Sequence, residues 1–582
     1  MKKKQLFVSK RKLLITNLTF LLVLTNFELI LCFENSSCSS CQTIRTKQST
    51  SKDPKEHFYK SHPELEHFQT LYGEQFSKSP ISHDADLQKM AAVRKAFRHA
   101  WKGYCLHAWG NDQLLPVNNG SYNWLDLGTT IVDNLDTLLL MGFNQEFEHA
   151  VSWVENGLNF RSDRNTSVFE ATIRVVAGLL SSYHISKKPL LLDKAKELAN
   201  KISKSWDEQS GFPMPYLNFK TNKKSLPTWN NNHYVLADLG TLQMEFSYLT
   251  KLTGDPQYRQ MTFEILNKLF KQYGKSGFFP IFIHPNASIK RLNDLYNKKF
   301  SIGGMGDSFF EYLLKVWVLE DQKSDDLIKM FDRAMNNIIM QMVHEVSIDR
   351  ASFKNNNLKK RKYRDGHKFQ KPQNVSHKKK MKTMKKKSKK QKITINNEKK
   401  LKFIGEIENG KLIFKMEEIT CFVPGLFALA AKLKVGNYSR YGRLSKDLLN
   451  TCYYLYTSTR TKLAPELISF QNDQIIILDA NYRLRPETIE SLFYLWRLTG
   501  DPMCRKMGWR IFKSIEKYCK TSSGYSSLLD VNDRKSNFRN EMQSYFLSET
   551  LKYLYLLFAP SSILPLDSFV FNTEGHPFPI QK

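Results

Sequence analysis

From about Leu87 to the end of the chain, apolar residues recur at spacings of three and four, the period of a helix with a buried face. The stretches that show it include DLQKMAAVRKAFRHAWKGYCLHAW, ATIRVVAGLLSSYHI, LADLGTLQMEFSYLTKL, DSFFEYLLKVWVL, PGLFALAAKL, ETIESLFYLWRLTG and SYFLSETLKYLYLLF. Many are apolar on more than one face, which predicts helices packed between neighbours. The phrase Leu-Thr-Gly-Asp-Pro occurs at 252–256 and again at 498–502. Gly254 and Gly500 suit the position after a helix end, and Pro256 and Pro502 suit the start of the next segment. Repeated helix-stop-helix units predict an all-α fold of helical hairpins. Periodicity alone leaves both a solenoid and a closed barrel open.

Upstream the pattern changes. Leu13 to Phe33 is a largely apolar run preceded by six cations in the first twelve residues. It is long enough to cross a bilayer, and the positive charge before it predicts a cytoplasmic N-terminus and a lumenal remainder. The expected organisation is a cytoplasmic tail at 1–12, a signal-anchor transmembrane helix at 13–33, a polar stem at 34–88 and a catalytic domain at 89–582. A cleaved signal peptide is the alternative, although no small-x-small cleavage site stands near Cys32. Eight cysteines in 582 residues are too few for a disulfide scaffold, and Cys38 and Cys41 have no second pair with which to hold zinc.

The formal charge of +31 invites a nucleic-acid reading, but the excess is local. Residues 354–392 hold 18 Lys and Arg against Asp365, a net of +17 that leaves +14 for everything else. This run has almost no apolar content and cannot fold alone. It reads as a disordered insertion, 350–398, inside a folded domain, and no nucleic-acid partner is expected.

Acidic residues gather where helices are predicted to begin: Ser167…Glu170, Asp307-Ser308…Glu311, Pro486-Glu487…Glu490, and Asn572-Thr573-Glu574 near the end. Singly, each has a structural explanation. Ser167…Glu170 and Ser308…Glu311 have capping-box spacing, and Glu487 sits in a first turn, where the helix dipole favours an acid. Together they say more. Asp307/Glu311 and Glu487/Glu490 put like charges on one helix face, beside Phe309, Phe310, Phe493 and Tyr494. Carboxylates between aromatic walls suit a sugar site, where one acid must be protonated and another ionised.

Ten ordered stretches between about 89 and 581 carry a resemblance to the class I α-1,2-mannosidases, glycoside hydrolase family 47. They include AWKGYCLHAWGNDQLLP (100–116), LGTTIVDNLDTLLLMG (127–142), SVFEATIRVVAGLLSSY (167–183), GGMGDSFFEYLLK (303–315), LRPETIESLFYLWRLTGDP (484–502) and FVFNTEGHPFPI (569–580). The resemblance implies an (αα)7 barrel and hydrolysis, with inversion, of terminal α-1,2-linked mannose on high-mannose N-glycans. By motif, Glu170 matches the general acid, Glu487 the general base and Asp307 the third catalytic carboxylate. Asp133, Arg174, Glu311, Glu466, Arg485, Glu490 and Glu574 match substrate contacts. Thr573 matches the ligand of a Ca²⁺ ion, and Cys421 and Cys452 match a disulfide. A mannose-binding, weakly active protein of ER-associated degradation is the rival function.

Several positions depart from the family pattern. Gly304-Met305-Gly306 stands where ER-type members carry Arg and Golgi-type members an apolar residue. Gln543 stands where ER-type members have Glu. Both imply the Golgi branch, so that with the N-terminal anchor a type II Golgi membrane enzyme is expected, the ER membrane being the alternative. Glu418 stands where His is usual, and Gln113 and Ala171 replace Glu and Thr.

Overall fold

The computed structural model describes residues 85–284, 298–349 and 398–582. The expected tail, anchor and stem lie outside these residues, apart from the last few of the stem, and so does the Lys-rich run.

The periodic stretches fold as helices that pair with their sequence neighbours. Leu135–Leu140 packs on Asn144–Asn156, Ala177–Ser186 on Pro189–Ile202, and Gln243–Thr253 on Gln257–Tyr273. Asp307–Leu319 packs on Asp325–Gln341, Val423–Lys432 on Tyr438–Ser458, and Glu487–Thr499 on Pro502–Tyr518. The seventh pair joins the two ends of the domain: Lys552–Phe558 packs against Leu87–His107. That last contact selects a closed ring over a solenoid.

The two members of a hairpin differ in the way their sequences foretell. Asp325–Gln341 buries Leu327, Met330, Phe331, Ala334, Met335, Ile338 and Ile339, a single stripe, and leaves the rest half-buried or exposed. Its partner Asp307–Leu319 is buried from Ser308 to Leu319, Lys315 included. The first kind forms the outer wall and the second the inner wall. Full burial of one Leu, Phe or Met contributes about 1.5–3 kcal/mol, so the inner helices hold the ring together. Gly254 and Gly500 cap their helices at φ +76° and +71°, as the repeated phrase predicts. A Cβ at either would meet nothing within 4 Å, so the requirement there is the left-handed backbone rather than space.

The domain is mostly helical rather than all-α. Among the described residues, small antiparallel sheets of two or three strands occupy the connections. Short strands such as Asn165–Ser167 are too brief for the alternation that identifies a strand in sequence. Strands Val343–Asp349 and Glu398–Ile404 pair in register from Val343↔Ile404 to Asp349↔Glu398. Glu398 therefore belongs to a strand and not to the insertion. In sequence the Lys-rich segment falls between Asp349 and Glu398, which are paired with each other.

Candidate active site

A cavity of about 840 Å³ opens between the inner helices and the loops that precede them. Several motifs build its wall. In the first, buried Asp112 accepts hydrogen bonds from the backbone N–H groups of Trp124, Leu125 and Asp126 at 2.6–2.8 Å, and from those of Leu127 and Thr129 at 3.0–3.1 Å. One carboxylate thereby folds the loop that presents Trp124 and Leu125 to the cavity.

In the second, Ser167 Oγ accepts from the Glu170 N–H at 3.2 Å, the expected cap. The chain then winds as a π-helix over Ala171–Val176. The wider turn brings Glu170, Ile173 and Arg174 to the cavity. A second π-helix, Phe546–Leu551, contributes Glu549. The Ser308 capping box does not form. The helix starts at Asp307 behind Gly306, and Asp307 itself accepts from the Ser308 N–H at 2.7 Å.

The C-terminal hairpin, Phe569–Phe571 with Pro577–Pro579, is buried within the ring and carries Thr573 and Glu574 at its tip. Asn572 shapes that tip. Its Oδ1 accepts from the N–H groups of Glu574 and His576 at 3.0 and 2.8 Å, and its Nδ2 donates to Ile173 O at 3.0 Å and Glu245 Oε1 at 2.9 Å.

Of the residues singled out by sequence, Glu170, Arg174, Asp307, Glu311, Arg485, Glu487, Glu490, Thr573 and Glu574 all line this one cavity. Asp133 and Glu466 are not among its lining residues. Asp133 is fully buried behind Arg174, accepting from Ser548 Oγ at 2.9 Å and bonded to His576 Nε2 at 3.0 Å. Glu466 Oε2 accepts from Arg485 Nε at 2.8 Å. Both support an arginine that does reach the cavity. Cys421 and Cys452 form a disulfide with Cα atoms 5.8 Å apart, and Cys105, Cys504 and Cys519 are free thiols.

Arg174 is the cationic hub on one side. Its Nε donates to Glu170 Oε2 at 2.7 Å, and its Nη1 donates to Glu574 Oε2 at 2.8 Å and Ser544 Oγ at 3.2 Å. Behind it, His576 bridges Asp133 and Asp136, at 3.0 and 2.8 Å, and Lys552 lies 3.0 Å from Asp136. Both imidazole nitrogens face carboxylates, so both carry protons. Burial alone would lower the His576 pKa, but Asp136 and Asp133 raise it. Burial would likewise raise Asp136, but Lys552 and His576 hold it well below the ordinary carboxylate range.

The remaining acids fall into two groups. In one, burial pushes Asp307 up to about 7, with the charges of Glu417 and Glu311 adding to it. Asp238 is pushed up to about 8 by burial and by the charges of Glu170 and Asp307. In the other, Glu490 rises to about 8 through burial, despite Lys315 at 3.3 Å, and burial and the charge of Glu574 drive Glu549 well upward. Lys315 also donates to Glu311, and it is itself buried. Burial thus favours the protonated form of several cavity carboxyls, the state a general acid requires.

Asp238, Lys315, Asp136, Lys552 and Glu549 were not picked out by sequence as site residues. Glu549 stands inside a stretch the sequence already marked, SYFLSETLKYLYLLF, but ordinary helical periodicity hides a π-turn. Lys315 lies one turn after Glu311 on a helix buried along nearly its whole length, where a lone cation is itself a signal for a buried acidic partner.

Hard oxygen donors suited to a divalent cation, Gln543, Glu487, Glu490 and Glu549, line the same cavity as Thr573. Burial and neighbouring acidic charges raise Glu490 and Glu549, and a cation beside them would favour their charged forms. Among the described residues, no three His, Cys, Asp or Glu side chains converge as a ready set of ligands.

A profile of glycosyl hydrolase family 47 matches residues 96–377 and 358–580 of the chain. The Arabidopsis thaliana mannosyl-oligosaccharide 1,2-alpha-mannosidase is 39% identical over 501 residues, which cover 85% of this chain and 79% of the relative. The Sus scrofa mannosyl-oligosaccharide 1,2-alpha-mannosidase IA is 34% identical, covering 85% and 68%. The Rattus norvegicus endoplasmic reticulum mannosyl-oligosaccharide 1,2-alpha-mannosidase is 33% identical with the same coverage. The solved alpha-1,2-mannosidase from Trichoderma reesei superposes with a TM-score of 0.71 at 24% identity, over 86% of this chain and 100% of that one.

Proposed function

The chain belongs to glycosyl hydrolase family 47, and we propose that its cavity hydrolyses α-1,2-linked mannose by paired acid and base carboxyls. It is a mannosyl-oligosaccharide α-1,2-mannosidase, which trims terminal mannose from high-mannose N-glycans. The observation that carries the detail is the convergence of Glu170, Asp307 and Glu487 on one cavity from three separate inner-wall elements.

In this reading the reaction proceeds with inversion. Glu170, oriented by Arg174, protonates the leaving glycosidic oxygen. Asp307, kept protonated near neutrality by burial, resupplies that proton. Glu487 takes a proton from the water that attacks the opposite face of the sugar. An inverting pair needs room between acid and base for that water, and a cavity of about 840 Å³ leaves room for it. Trp229 and Tyr122, exposed at the cavity wall, offer flat faces to sugar rings further along the glycan.

Thr573 would hold Ca²⁺ through its hydroxyl and backbone carbonyl, with Glu487, Glu490 and Glu574 accepting from the ion's waters. When bound, the cation would polarise sugar hydroxyls and favour a distorted ring. Met305 and Gln543 support a Golgi-type enzyme, acting in the lumen behind an anchor at 13–33. Among the described residues no helix is long and apolar enough to cross a membrane.

The test is digestion of a labelled high-mannose glycan with and without a chelator. Release of free mannose from α-1,2 linkages, lost on chelation, is expected. Binding without release would favour the mannose-binding alternative.

A further inference from the structure

Glu418 occupies the position where the family pattern expects His, and its surroundings give it a task. It opens a short helical turn, Glu418–Phe422, which the Cys421–Cys452 disulfide ties to the helix Tyr438–Ser458. Its backbone N–H donates to Glu466 O at 2.9 Å. The side chain is buried, at 2% exposure. Its Oε1 accepts from Tyr456 Oη at 3.0 Å and from Thr488 Oγ1 at 2.8 Å. Thr488 is the residue next to Glu487. The other oxygen, Oε2, is buried and makes no hydrogen bond of the ordinary donor–acceptor kind, and the same is true of Glu487 Oε2. The two carboxyl groups lie within hydrogen-bonding reach of each other.

Two carboxylates cannot satisfy one another, because each only accepts. Two buried carboxyls in reach of each other, each with an orphaned oxygen, are stable only with one proton between them. The neighbours decide which group owns it. Glu418 Oε1 is satisfied by two neutral hydroxyls, with no cation bonded to it. Glu487 Oε1 faces Arg485 Nη1 at 3.6 Å, and that guanidinium also bonds Glu466. The Arg485 charge is felt by Glu418 as well, but its direct contact is with Glu487, which favours charge there and leaves the proton to Glu418.

We propose that Glu418 is a positioning residue for Glu487, holding its own proton and donating it from Oε2 to Glu487 Oε2. This rests on the reading of Glu487 as the base. The hydrogen bond fixes the base carboxylate from one side while Arg485 fixes it from the other, so the lone pair that receives the water's proton points at the cavity. The direction of the Glu418 shift agrees: burial, then the Glu487 charge, hold its carboxyl well above the ordinary range. A Gln at this position keeps an N–H donor where the O–H stood, whereas a Leu removes it.

The experiment compares full-length Glu418→Gln, Glu418→Leu and Glu487→Gln with the unaltered chain. The readouts are kcat and KM on a high-mannose glycan, and infrared difference spectra of the protonated-carboxyl C=O stretch at neutral pH without substrate. Glu418→Leu is expected to lower kcat about 10–100-fold, the worth of one hydrogen bond to a charged group, with KM within about twofold. Glu418→Gln is expected to keep kcat within about threefold, since the donor survives. It should also remove one protonated-carboxyl band. A Gln variant as impaired as the Leu variant, or a spectrum that loses no such band, would overturn the proposal. Should the Leu variant fail to fold, Gln kinetics and the infrared band still decide. If Glu487→Gln turns over normally, the base assignment falls, while the band separately reports whether Glu418 holds the proton.

Discussion

Replacing Lys315 by Met removes a cation that is 1% exposed and sits between Glu311 and Glu490, themselves 5% and 9% exposed. Met fills most of the same volume, so the change is chiefly one of charge. Breaking a buried pair by deleting one partner costs about 3–5 kcal/mol. In a barrel of several hundred residues about 1 kcal/mol corresponds to about 1 °C, so melting should fall by about 3–5 °C at pH 8. The pH dependence follows from Glu490. Its folded pKa, about 8, lies above its ordinary value, so its contribution to stability is fully present at low pH and is lost as pH rises toward 8. Without Lys315, which lowers it, that loss continues to higher pH, and the gap between variant and parent widens. In acid the gap should close, since protonated Glu490 no longer needs the cation and the buried ammonium becomes the costly group. The assay is differential scanning calorimetry of both proteins from pH 5 to 9 at fixed salt and scan rate. A gap that is constant with pH, or below about 1 °C at pH 8, would refute the charge argument.

Glu487→Gln should reduce kcat by about 10²–10⁴-fold while glycan binding and folding survive, read by kinetics and by isothermal titration. Asp307 is raised to about 7, so if its proton is needed, kcat/KM should decline as pH rises through that value, and Asp307→Asn should abolish that limb along with most of the turnover. Removing the Cys421–Cys452 bond, with a sequence separation of 31, should cost about 3–4 kcal/mol on the loop-entropy estimate, read as a lower melting temperature of the double Ala variant. Deleting 354–392 should preserve mannose release, because the flanking strands are already paired at Asp349↔Glu398 and a shorter connection changes closure entropy by only about 0.6 kcal/mol per halving. Thr573→Val should weaken the Ca²⁺ requirement's affinity and Gln543→Glu should tighten it, measured by chelator titration of activity.

Much of the fold was legible because helices announce themselves by period. Asp307–Leu319 and Glu487–Thr499 start at acids the sequence marked, and the two Leu-Thr-Gly-Asp-Pro phrases end helices where expected. Closure into a ring was not legible from periodicity, since it depends on the contact of Leu87–His107 with Lys552–Phe558, the two ends of the domain. The strands were missed because most are two or three residues long. The cavity's acids were legible as helix-start clusters, but their electrostatic partners were not. Lys315, Lys552 and Asp136 look like ordinary members of apolar helices until the ring brings Glu490 and His576 against them. Sequence likewise marked Asp133 and Glu466 as sugar contacts, and only three-dimensional placement sets them behind Arg174 and Arg485.

The central claim, inverting removal of α-1,2-linked mannose by the Glu170–Asp307–Glu487 cavity, is tested most directly by proton NMR of a fresh digest. A defined high-mannose glycan is mixed with the full-length protein in Ca²⁺, and the anomeric signals of released mannose are followed from the first minutes. β-Mannose is expected to appear first and then mutarotate, with α-1,2 linkages consumed and α-1,3 and α-1,6 linkages intact. Initial release of α-mannose, or no release from a glycan that binds, would contradict it.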